Sequence, residues 1–318
     1  MSEVVSPWYL RWVVGIGAWI TALVLIAFGG AFVFALLEVR NPAALSVFGA
    51  AFFGFGLWLL WRDTSGDFAE QLGIATGAAG AAMICGGLIG EYESFWLGFF
   101  VAAALTAAIV AATDDKILQF LTAAFAMGCY VAALLKNDTQ HMLDFVALAT
   151  PVGLVLLLYP PRRDLVPTAV ALLLTFPVVS ILGMENTRTL SEMGRTDRFA
   201  NSLHIVLFLA LVFVHWRRSE DGKANAQVAA FAVTAVLVCL LLPPGGSAAM
   251  LILMLAFVIG SRPLALLGVV LQGQFIIRYY YSLEMTLLDK SLLLIGIGMV
   301  LLALWWILQA TGKRRVVQ

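Results

Sequence analysis

Apolar residues in this chain come in runs of about twenty, separated by short polar breaks, and within the runs they do not alternate with period two. Runs of this length predict helices that cross a ~30 Å hydrocarbon core, and they argue against the ~10-residue strands of a membrane barrel. Twelve candidate spans follow: 12–37, 43–61, 71–90, 95–112, 117–135, 142–159, 165–184, 199–216, 224–242, 245–260, 263–281 and 287–309. The tenth is the shortest, about 24 Å at ~1.5 Å per residue, and it reads as a re-entrant or strongly buried segment as readily as a full crossing. Most connections are under ten residues, so sequential helices should be antiparallel neighbours with no room for a soluble domain. The expected fold is all-α, a polytopic transmembrane helix bundle of about 12 spans. Residues 1–11 would form a cytoplasmic N-terminal segment, 12–309 a single transmembrane helical domain, and 310–318 a basic cytoplasmic tail.

The stretch from Leu271 to Trp306 shows the building unit: the end of one apolar run, an Arg-Tyr-Tyr-Tyr cluster, a polar turn and a second run. Thr286-Leu287-Leu288-Asp289 fits a capping box, in which the threonine oxygen accepts a backbone N–H and the acid offsets the positive helix end. Composition narrows the picture. Hydrophobic residues make up 62% of the chain, charged residues 12%, and mean hydropathy is +0.97, which excludes an ordinary soluble domain. A net charge of zero gives no reason to expect a nucleic-acid partner. Cys85, Cys129 and Cys239 fall inside apolar runs and read as packing residues, with neither a disulfide framework nor metal-ligand spacing. The first run is too long for a signal-peptide core and is expected to stay as a span.

Charge sets the expected orientation. Alternate loops divide the 19 Lys and Arg residues twelve against seven, and the richer side includes Arg11, Arg62, Lys116, Arg162, Arg163, Arg217, Arg218, Lys313, Arg314 and Arg315. Both termini would therefore be cytoplasmic, as expected of an inner-membrane protein, with Trp58, Trp61, Trp216 and Trp305 at that interface. The loop beginning WRDTSGD at Trp61 resembles the one beginning WRRSEDG at Trp216, six spans later. One reading is a parallel 6+6 repeat; the other is that any such loop starts with Trp-Arg and continues polar. In the third span, Gly73-x3-Gly77 and Gly86-x3-Gly90 with few large side chains predict a helix inside the bundle. Pro151 and Pro177 should kink the sixth and seventh spans.

Polar groups within spans are costly and therefore informative. They crowd toward the non-cytoplasmic side: Asp144 after His141, Asn201 and His204 in the eighth span, and Arg278 near the outer end of the eleventh, followed by Glu284, Asp289 and Lys290. Only Gln272 and Gln274 approach the midplane, and two residues apart they cannot share a helix face. One reading is an outward-facing vestibule in which Arg278 binds an anion and Asp144 or His204 exchanges a proton. The other is interface chemistry: Arg278 snorkels, Asp144 serves a helix start, and His204 bonds a neighbouring helix. The chain has no P-loop, nucleophile elbow or zinc-protease motif, and its histidines supply no evident Ser/His pair, so catalysis is not expected and no cofactor or metal is implied.

The segment YYYSLEMTLLDKSLLLIGIGMVLLALWW, with PWYLRWVVGIGAW near the start, resembles a family of bacterial inner-membrane proteins known as a domain of unknown function. Tyr279, Tyr280, Tyr281, Leu283, Thr286-Leu287-Leu288, Lys290-Ser291, Gly296 and Gly298 carry the resemblance, with Pro7-Trp8, Gly15, Gly17 and Trp19. It implies many spans, no established catalytic residues, and association with a smaller membrane-anchored protein bearing a Gly-Asp-Tyr-x-x-Leu-x-Tyr motif. The expected function is a non-enzymatic membrane component that docks such a partner on its outer face around Arg278, Tyr279, Tyr280, Tyr281, Glu284, Asp289 and Lys290. The alternative is a transporter of a small solute or lipid-linked substrate, with Asp144, His204, Gln272 and Gln274 as intramembrane polar candidates.

Overall fold

A computed structural model describes residues 14–24, 42–62, 67–137, 142–158, 165–186, 198–218 and 244–282, with isolated helical residues between 288 and 302. Every regular element among them is a helix. In chain order these are α1 (Val14–Val24), α2 (Pro42–Trp61), α3 (Asp67–Tyr92), α4 (Phe95–Ala112), α5 (Lys116–Lys136), α6 (Met142–Ala147), α7 (Ala149–Leu158), α8 (Val166–Asn186), α9 (Arg198–Arg218), α10 (Pro244–Ile259) and α11 (Arg262–Ser282). Four of them, α2 to α5, are long and apolar enough to cross a membrane. The span expected at 224–242, most of the one at 287–309, and the capping box at Thr286 lie outside the described residues.

The helices form two compact units. The first comprises 1–142 and 148–175. Its helix ends follow from local chemistry: Ser94 Oγ accepts from Leu97 N at 3.3 Å to start α4, and Asp115 Oδ1 accepts from Leu118 N at 2.6 Å to start α5. Glu93, with φ at 49°, takes the left-handed conformation that turns the chain between α3 and α4, and Lys136 Nζ donates to its carbonyl. Packing follows size. Gly49 and Gly56 on α2 face Gly73, Gly77 and Gly80 on α3 so closely that a Cβ on Gly56 would lie 2.5 Å from Gly77 N, and Gly87 meets Pro42 and Ser46 in the same way. Ser46 Oγ adds a bond of 3.0 Å to Ile84 O. Half of α3 is buried, as its small residues predict, but the second glycine pair plays no equal part: Gly86 is exposed and faces open space. Ile74, Ile109 and Leu118 form one core cluster, and Cys85, Ala102 and Ala126 another.

The sixth predicted span is two helices, because Pro151 has no N–H for the carbonyl of Ala147, and the helix breaks at Leu148. Pro177 lies inside α8 without ending it, one residue past the point where that helix passes into the second unit. The second unit comprises 143–147 and 176–318. Its central described element is α10, of 16 residues, in which Gly245 to Ala249, Leu251, Ile252 and Met254 to Ala256 are all buried. A helix apolar on every side belongs inside a bundle, so this segment is the strongly buried one its length suggested. Packed on it are α9 and α11, the latter through Leu264, Gly268, Leu271 and Phe275, a stripe with helical spacing.

Candidate functional site

The second unit gathers its polar groups where α9 and α10 begin. A helix start leaves backbone N–H groups without intrahelical partners, which is costly where water is absent. At α9 the need is met by Asp144, whose Oδ1 accepts from Ala200 N at 3.1 Å. One turn further along α9, His204 is fully buried, with its Nδ1 3.2 Å from Ser247 Oγ on the first turn of α10. The tautomer decides which of the two donates. The ring of Phe176, from α8, stands edge-on to the imidazole with centroids 4.5 Å apart. The Gly-Gly-Ser start of α10 is narrow enough for this contact, and the Phe275 ring of α11 fills the place that a side chain on Gly245 would take.

The structure thus joins Asp144 and His204 through the first turns of α9 and adds Ser247, which sequence reasoning missed. Nothing in the sequence singles out that serine, because it lies 43 residues from its partner in no recognised motif. The one available signal was its place in a run of small residues opening a short apolar helix. A buried Ser–His contact is also the beginning of a nucleophilic site. Here both residues have no exposed surface, so no carbonyl can reach Ser247 Oγ in this conformation, and the pair serves as a link between helices.

Gln272 and Gln274 lie partly buried on α11 and on different faces, as their spacing requires. Gln272 sits at the edge of the stripe against α10, and its Oε1 is enclosed without a hydrogen-bond partner. At the end of α11 the character changes. Tyr280 and Tyr281 stand edge to face, ring centroids 5.5 Å apart, and Tyr281 is 78% exposed. Arg278 and Tyr279 belong to the same helix, but their side chains, like Glu284, Asp289 and Lys290, are outside the described residues. Among the described residues no cluster of three His, Cys, Asp or Glu could hold a metal.

Apolar helices of crossing length, with buried polar groups bonded from helix to helix, define a helical membrane protein. Residues 7–311 fit the family described as Domain of unknown function (DUF4401), and the chain belongs to it. No curated protein and no solved structure matches the chain.

Proposed function

We propose that this chain is a non-enzymatic component of the bacterial inner membrane, a bundle of about twelve spans with both termini cytoplasmic, that docks a small membrane-anchored partner on its outer face. The observation that carries this reading is the tyrosine pair ending α11. Phe275 is buried without remainder, whereas Tyr281, less than two turns later, is 78% exposed, so one helix runs from packed interior to an aromatic ledge. Exposed aromatics beside a cation are the residue types that anchor protein interfaces, and Arg278 precedes the ledge while Glu284, Asp289 and Lys290 follow it. The interior supports the same reading, since Asp144 and His204 are engaged within the fold.

A second reading, transport of a small solute or lipid-linked substrate, is favoured by one observation, the enclosed Gln272 Oε1. The parallel 6+6 repeat would suit it, and both matching loops lie partly outside the described residues. A single experiment separates them. Full-length protein is captured from its native membrane in mild detergent and its partners identified by mass spectrometry, beside Tyr281→Ala, Arg278→Ala and Asp289→Ala. Docking requires a stoichiometric small membrane-anchored protein that these variants lose and that Asp144→Asn and Gln272→Ala retain. A clean protein without a partner would overturn it and direct work to flux measurements on the latter two variants.

A further inference from the structure

The first unit carries a feature that neither reading uses. Trp61 Nε1, at the end of α2, donates to Ala112 O at the end of α4 at 3.0 Å, and α3 and α5 begin at the same level. Between these helix ends lies a polar cavity of about 700 Å³ lined by Trp61, Glu70, Thr113, Asp114, Asp115 and Lys116. Among the described residues three carboxylates face one ammonium there. Directly behind the wall is Gln119, 1% exposed: its Nε2 donates to Thr113 O at 3.0 Å, and its Oε1 is enclosed without a partner. Buried amide oxygens are rarely left so.

Ile117 lines that cavity and also a second one, of about 510 Å³, between α1, α3 and α5. The second is of opposite character, walled by Gly15, Ile16, Trp19, Ile20 and Leu23, with Gln71 at its lip bonded to Trp19 Nε1 at 3.4 Å. It is open at Gly15, where an added Cβ would meet only Gln71 Cγ, at 3.9 Å. An apolar groove and an acidic chamber sharing one wall, in a unit built of membrane-length helices, match an amphiphile with hydrocarbon at one end and positive charge at the other.

We infer that the first unit binds a zwitterionic phospholipid whose headgroup ends in an ammonium. An acyl chain lies in the groove between α1, α3 and α5, the phosphate meets Lys116, and the ammonium sits among Glu70, Asp114 and Asp115 beside the Trp61 ring. A purely anionic lipid would place its charge against three carboxylates. The site is independent of the partner-docking surface.

The test is native mass spectrometry of delipidated full-length protein titrated with phosphatidylethanolamine and phosphatidylglycerol of identical chains. The wild type should prefer the ethanolamine lipid about tenfold, the scale of one charge-assisted contact. Glu70→Gln with Asp114→Asn, both at exposed side chains, should erase that preference without moving the thermal unfolding temperature. Gly15→Leu or Ile20→Trp, which fill or reshape the groove, should weaken both lipids. Equal affinity in the wild type, preference for the anionic lipid, or indifference to the carboxylate variants would overturn the inference. Soluble phosphoethanolamine should not displace the lipid; displacement at stoichiometric amounts would mean a free amine is the ligand and would overturn it too.

Discussion

Gly80→Ala should separate α2 from α3. A Cβ on Gly80 would collide with the backbone N of Phe53 and lie 2.7 Å from both Phe53 Cα and Gly49 O. These are main-chain atoms of a helix, so no rotamer change can relieve the contact. To bring the tightest of these contacts to ordinary van der Waals distance the helices must part by about 1 Å, and a gap of that size forfeits up to roughly a half of each dispersion contact along the seam. Inside a bilayer no water-driven term replaces this loss, since lipid is as apolar as the interface. The cost should fall at about 1–3 kcal/mol, the usual range for overpacking. Gly86→Ala, six residues along the same helix, supplies the control: nothing lies within 4 Å of its added methyl, and the better helix propensity of alanine makes it neutral or slightly stabilising. Equilibrium unfolding in mixed dodecyl maltoside and dodecyl sulfate micelles reads both variants on one scale. Equal stability of the two would refute the seam, because it is the only thing that distinguishes their positions on α3.

Ser247→Ala and His204→Phe, combined in a double-mutant cycle, should show a coupling of about 0.6 kcal/mol and at most about 1.7, the range for interhelical hydrogen bonds in membranes; zero coupling in the same unfolding assay would remove the bond from the account of the second unit. Asp144→Ala should cost about 1 kcal/mol through the lost acceptor at Ala200 N, whereas Asp144→Asn, which retains an acceptor, should cost a few tenths; a larger loss for the asparagine would mean that charge rather than capping matters. Cys85 and Cys129 are buried, so in a Cys239→Ser background a maleimide should label neither in mild detergent and both after denaturation; labelling of the native protein would show that α3 and α5 do not pack as described.

The helices were legible in the sequence because nothing competes with the signal: an uninterrupted apolar run has no other way to satisfy its backbone in lipid. The run 95–112 is α4 to the residue, 43–61 differs from α2 by one residue at its start, and 117–135 and 263–281 differ from α5 and α11 by one residue at each end. The break at Leu148 was only half legible. Pro151 announces a disturbance, but the carbonyl it frees lies four residues earlier, so the helix parts before the proline. The glycine seam shows a different limit. Gly73-x3-Gly77 could be read from α3 alone, yet the contact also depends on Gly49 and Gly56, whose spacing of seven is matched by Gly80 and Gly73 across an antiparallel pair. The role of Ser247 was not legible, because its partner lies on a helix 43 residues away.

The two units solve one physical problem differently. In the first, the buried threonine hydroxyls bond backward to their own helix: Thr76 to Leu72 O at 2.7 Å, Thr106 to Ala102 O at 2.8 Å, Thr122 to Leu118 O at 2.9 Å. Such bonds satisfy the hydroxyl and do nothing to hold one helix to the next, so cohesion there leans on close packing, which glycine permits, with the bonds of Ser46 to Ile84 O and Trp61 to Ala112 O added to it. In the second unit polar groups reach across, carboxylate to helix start and imidazole to serine, and both of these links lie where α9 and α10 begin. Such links fix that end of the two helices. The aromatic ledge of α11 follows Phe275, which packs on that fixed helix start, so the exposed tyrosines project from the part of the second unit where position is best determined. A docking surface gains affinity from such preorganisation, because the order it needs is already present before the partner arrives.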